Sequence, residues 1–129
     1  FEPKLDAVAF STLPYGFYIR AVLIPDDYLS RIELHTSRDI LFTEIGWPGA
    51  SSELIFTTQS QAEYLARMVQ LVDAMPQVRL VTWTSLFDAD LEAPTLVSES
   101  FKLLGLIDAL EHPKPALDLW REVHNLPLR

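Results

Sequence analysis

Leu5 to Phe10 is an apolar run broken only by Asp6, and it ends in the polar pair Ser11-Thr12 before Leu13-Pro14-Tyr15-Gly16. A run this short, closed by turn-forming residues, reads as a strand emptying into a loop. Pro25-Asp26-Asp27 then offers helix-start chemistry, and Tyr28, Leu29 and Ile32 space out as one apolar face, so a short helix is predicted over 26–36. Ile40 to Ile45 is a second apolar run carrying one acid, Glu44, near its end, and Gly46-Trp47-Pro48 breaks it. Continuous apolar runs of this kind belong to strands of parallel sheets, which are covered on both faces.

Residues 49–58 read as loop, after which the helical period is clearest. Ala62, Leu65, Ala66, Val69, Val72 and Met75 recur at spacings of three and four, with Pro76 as the stop and either Thr58 with Gln61 or Ser60 with Glu63 as a capping box. Val78 to Thr84 is a third strand, emptying into Leu86-Phe87-Asp88-Ala89-Asp90, and 98–107 has no regular period. Pro113-Lys114-Pro115 opens a last helix that turns Ala116, Leu117, Trp120 and Val123 inward.

The order is strand, helix, three times over, with connections long enough to return each strand parallel to the last. The expected fold class is α/β, a parallel βαβαβα unit, and 129 residues that are 49% hydrophobic make one folding unit over 1–129. No glycine-rich phosphate loop follows any strand, which argues against nucleotide cofactors. A net charge of −8 argues against nucleic acid as a partner. The longest apolar runs fall short of a membrane span. Without cysteine there is no thiolate metal site, and His35, His112 and His124 are scattered, so neither metal nor other cofactor is expected. Phe1, standing where an initiator methionine would, reads as a sign of excision from something longer.

The chemistry concentrates in Thr43-Glu44-Ile45-Gly46-Trp47-Pro48, which sets an acid where a parallel strand ends and a glycine lets the backbone turn away. That is where barrel enzymes keep catalytic residues. The segment resembles the seventh-strand nucleophile motif of the clan A (β/α)8-barrel retaining glycoside hydrolases, in the manner of β-1,3-glucanases and endo-galactanases. Asp6-Ala7-Val8-Ala9-Phe10-Ser11-Thr12-Leu13-Pro14 is similar to their sixth strand, Val81-Thr82-Trp83-Thr84 to their eighth, and Gly105-Leu106-Ile107-Asp108 with Pro113-Lys114-Pro115-Ala116-Leu117 and Trp120 to their usual ending. The resemblance implies the C-terminal part of a TIM barrel, with Glu44 as nucleophile in the hydrolysis of β-O-glycosidic bonds of a polysaccharide. It implies a carbohydrate substrate and an extracellular or periplasmic setting. The family's general acid, on strand four, has no counterpart here. The family's tyrosine near the nucleophile would fall where Leu13 stands, leaving Tyr15 or Tyr18 to take its place.

Trp83 resembles the tryptophan that floors the sugar subsite, where an aromatic face stacks on a pyranose ring; a core tryptophan is the other reading. Trp47 divides in the same way between sugar contact and packing beneath the loop, while Trp120 reads as packing alone. Asp88 and Asp90 are loop acids able to bind sugar hydroxyls, although loop acids are common. Asp26 and Asp27 read as caps.

Two readings follow. In the first, the chain carries half the catalytic pair of an enzyme completed by a missing N-terminal barrel half, and alone it turns over no unactivated glycan. In the second, it is a non-catalytic truncated barrel that self-associates or binds carbohydrate. Three helices cover only one face of three apolar strands, so either reading expects association, as a homo-oligomer or with the missing half.

Overall fold

A computed structural model describes residues 4–50, 56–89 and 96–124. The three expected strands form β1 (Ala7–Thr12), β2 (Asp39–Ile45) and β3 (Val78–Trp83), all parallel and ordered β1-β2-β3. The helices are α1 (Thr58–Asp73), α2 (Leu96–Lys102) and α3 (Pro115–His124). The fold is thus a small parallel α/β sheet with helices, as the alternation of patterns required.

One face of the sheet is covered and the other open. Ile40, Phe42 and Ile45 of β2 are buried, as is Trp83 of β3, while Ala9 and Ser11 of β1 and Leu80 and Thr82 of β3 are exposed. α1 packs on the covered face through Tyr64, Leu65, Met68 and Leu71, and α3 packs on α1 with Ala116 and Leu117 buried. The buried stripe of α1 is displaced from the expected one. Gln61, Tyr64 and Met68 are fully buried, whereas Ala62, Val69 and Val72 lie at its margin. The larger side chains fill the space above the sheet, and Gln61 goes with them because its amide is used there.

The helix expected over 26–36 gives way to two 3-10 segments, Ala21–Leu23 just before it and Ser30–Leu34 within it. Its intended caps are otherwise engaged: Asp26 pairs with Arg67 of α1 and Asp27 with Arg31. Without a side-chain cap the backbone closes in tight turns that suffice to bury Ala21, Ile24 and Leu29.

α1 is capped by neither expected pair. Thr57 is the cap: its hydroxyl accepts from the Ser60 N–H at 3.0 Å, and the Ser60 hydroxyl accepts from the Thr57 N–H at 2.8 Å. Serine at the third helical position takes the part usually given to Glu or Gln. Overlapping the stretch read as irregular, residues 96–102 form α2, and a strap without regular secondary structure runs from Leu103 to Leu106 after it.

Candidate active site

Phe42 pairs with Phe10 and Val81, and Ile45 pairs with Thr12 and Trp83, so β2 spends three steps where each neighbour spends two. The extra residue is a β-bulge. Side chains alternate along a regular strand, and Glu44 would otherwise follow Phe42 beneath α1. Instead Glu44 lies opposite Ser11, on the open face at the C-terminal end of the sheet, half-exposed. The Thr43 hydroxyl donates to the Phe10 carbonyl at 3.4 Å, across the bulge.

Tyr15 enters from the 3-10 turn Pro14–Gly16, directly after β1. Partial burial, and next the negative charge of Glu44, push its phenol above the ordinary tyrosine range. Tyr18 packs edge-on against Tyr28, with centroids 5.8 Å apart. The Tyr15 ring is fixed by edge contacts to Trp47 at 6.5 Å and Phe56 at 6.1 Å.

β2 and β3 are adjacent and parallel, and Glu44 and Trp83 stand at the same C-terminal end. They project to opposite faces. Trp83 is 7% exposed, donates its indole N–H to the Leu104 carbonyl at 2.7 Å, and packs between Tyr64 and Trp120. Trp47 is 0% exposed, stacked on Tyr64 at 4.9 Å with an interplanar angle of 22°. In this chain both rings serve packing, which corrects their assignment to sugar contact. A pairing that keeps Trp83 level with Ile45 sends it to the covered side. Trp120 packs on Trp83 as expected.

Asp88 is corrected too. Its carboxylate accepts from Lys114 Nζ at 2.7 Å and from the Gly105 N–H at 2.9 Å, with side-chain exposures of 5% for the aspartate and 3% for the lysine. A carboxylate so enclosed does not meet a sugar hydroxyl. Asp90 lies outside the described residues.

Three positions that shape the surroundings of Glu44 escaped the sequence reading. Lys114 is the buried cation just described, although pattern alone assigns lysine to the surface. Gln61 donates to the carbonyls of Trp47 at 2.9 Å and Gly105 at 3.0 Å, joining the turn after Glu44 to the strap. Tyr64 links Trp47 to Trp83, and burial drives its phenol far above the ordinary range. Only Lys114, held between two prolines, carried a local signal of restraint.

No family model and no curated protein sequence matches the chain. Its backbone does match solved structures. A β-glucuronidase of an uncultured Clostridium sp. superposes with a TM-score of 0.73 at 18% identity, over 92% of this chain and 22% of that one. The β-D-glucuronidase of Dictyoglomus thermophilum gives 0.75 at 16% identity, over 96% and 23%. A GH2 β-galacturonidase from Eisenbergiella tayi gives 0.72 at 18% identity, over 91% and 23%. The chain spans less than a quarter of the length of these structures. At such identities the likeness is one of fold. These proteins are glucuronidases and a galacturonidase, a different substrate group from the glucanases and galactanases of the sequence resemblance.

Proposed function

We propose that this chain is the nucleophile-bearing, C-terminal part of a (β/α)8-barrel glycoside hydrolase that cleaves β-O-glycosidic bonds with retention, with Glu44 as nucleophile. The observation that carries the reading is the bulge, which brings Glu44 onto the open face at the C-terminal end of the sheet. In a barrel that face is the interior, and that end is the mouth. The carboxylate attacks the anomeric carbon as the glycosidic oxygen leaves, and water later releases the sugar from the enzyme ester. The leaving oxygen is protonated by a second carboxyl about 5–5.5 Å away. In this proposal that acid comes from barrel strands outside the chain, and the sheet's open face is where those strands close. The fold likeness to glucuronidases and a galacturonidase supports a sugar substrate and puts β-uronides first among those to try.

A 2,4-dinitrophenyl 2-deoxy-2-fluoro-β-glycoside tests the assignment directly, because so good a leaving group needs little protonation and the fluorine slows release of the ester. Incubation with a panel of glucuronide, galacturonide, glucoside and galactoside, followed by peptide mass mapping, should place the sugar on Glu44, and Glu44→Gln should remove the label. Labelling of a different carboxylate, or none in a folded chain, counts against the reading. Without a general acid, which is typically worth roughly 10²–10⁴-fold, unactivated glycans should show no turnover.

The exposed Ala9, Leu80 and Thr82 favour a second reading, a non-catalytic truncated barrel that pairs with its own kind or holds carbohydrate. It predicts association without any label on Glu44.

A further inference from the structure

A buried lysine paired with a buried aspartate calls for a reason beyond stability, since such pairs are often no more stabilising than apolar residues of the same volume. Its surroundings supply one. Lys114 Nζ binds Asp88, in the loop after β3, at 2.7 Å, and lies 3.3 Å from the Leu103 carbonyl. That same carbonyl accepts the Gly49 N–H at 2.8 Å, and Gly49 ends the turn that begins just after Glu44. The Asp88 oxygen also accepts the Gly105 N–H at 2.9 Å. The ammonium therefore joins the exits of β2 and β3 through the strap.

Gly49 is shaped for this. A Cβ there would stand 2.7 Å from Lys114 Nζ and 2.9 Å from its Cδ, so the missing side chain is what lets the lysine reach in. The rest of the turn is fastened to fixed elements. The Ile45 carbonyl accepts from the Thr84 N–H at 2.9 Å and its hydroxyl at 2.7 Å, and the Trp47 carbonyl accepts from Gln61 at 2.9 Å. The Gly49 end is bonded to the strap directly, and Lys114 braces the strap at Leu103 and, through Asp88, at Gly105, whose carbonyl Gln61 also holds.

We propose that Lys114, acting through Asp88 and the Leu103 carbonyl, is a positioning residue that holds the turn after Glu44 and so sets where the Glu44 carboxylate stands at the C-terminal end of the sheet. Its bearing on catalysis rests on Glu44 being the nucleophile, but the geometric claim does not.

The test reads geometry through titration of Tyr15, followed by NMR of ring-labelled tyrosine in the 129-residue chain. Glu44→Gln should lower the Tyr15 pKa by removing the neighbouring charge. In Asp88→Asn/Lys114→Met, which removes both charges together and so leaves neither unpaired, this Glu44-dependent shift should fall to half or less while unfolding stays cooperative. Gly49→Ala, which displaces the ammonium and keeps both charges, should do the same and serves if the double variant does not fold. A full Glu44-dependent shift in either folded variant would overturn the proposal, as would a Tyr15 titration indifferent to Glu44→Gln. Loss of sugar labelling at Glu44 with this coupling intact would instead sink the glycosidase reading and leave the positioning role standing.

Discussion

Gly105→Ala and Gly16→Ala are the same chemical change and should have opposite signs. At Gly105 a Cβ would sit 2.2 Å from both the Asp88 nitrogen and the Phe87 carbonyl carbon, about 1 Å inside ordinary contact, so the strap must retreat by about that much. The atoms in the way are backbone and have no rotamer to escape by. A retreat of that size breaks the 2.9 Å bond from the Gly105 N–H to Asp88 and strains the 2.9 Å bond from the Asp88 N–H to the Ile107 carbonyl. One charge-assisted and one neutral hydrogen bond together amount to about 3 kcal/mol. At Gly16 no atom lies within 4 Å and the backbone angle is not left-handed, so alanine should gain about 0.4–1 kcal/mol through the unfolded chain. Urea unfolding checks both. With a slope of about 2 kcal/mol/M, Gly105→Ala should move the midpoint down by about 1.5 M, and Gly16→Ala should move it slightly up. A Gly105→Ala midpoint equal to that of the parent would refute the view that the strap is pinned at this point.

Thr57→Ala should cost about 1 kcal/mol by removing the cap of α1, seen in the same unfolding experiment. Stability should fall at alkaline pH, because Tyr15 and Tyr64 hold their protons more tightly when folded: their contribution is whole below the unfolded tyrosine pKa of about 10 and is lost as pH rises from there toward the folded values. Tyr64→Phe should reduce that slope by up to about 1.4 kcal/mol per pH unit, measured as unfolding midpoints between pH 9 and about 11. Leu80→Lys on the open face should weaken self-association in sedimentation runs at micromolar concentration, while a chain that is monomeric before the change would remove the premise.

The strands and the two long helices were legible because burial leaves a period that side-chain chemistry makes visible. Ile40–Ile45 cannot be mistaken for a surface segment, and Pro76 ends α1 in any context. The first crossover misled because Asp26 and Asp27 cap nothing locally: one is claimed by Arg67, 41 residues away, and no window of sequence contains both partners. Distance hid the role of Asp88 in the same way, since its partner Lys114 is 26 residues on. Trp83 failed for a different reason. Position along the strand was right, but which face it takes depends on pairing with Ile45, a property of two strands together.

The position of Glu44 follows from its neighbours more than from itself. Phe42 and Ile45 are both fully buried on the covered face, yet they are three residues apart, an odd number that no regular strand can place on one side. Were the strand regular, either Ile45 would face outward and lose about 1.5–3 kcal/mol of burial, or Phe42 would. In the first case the Glu44 carboxylate would also enter the apolar layer beneath α1, where an unpaired charge is far more costly still. An extra residue between the two removes both penalties at once, at the expense of local pairing around Thr43, which the hydroxyl bond to the Phe10 carbonyl partly restores. The core thus enforces the bulge, and the bulge carries the carboxylate to the open face.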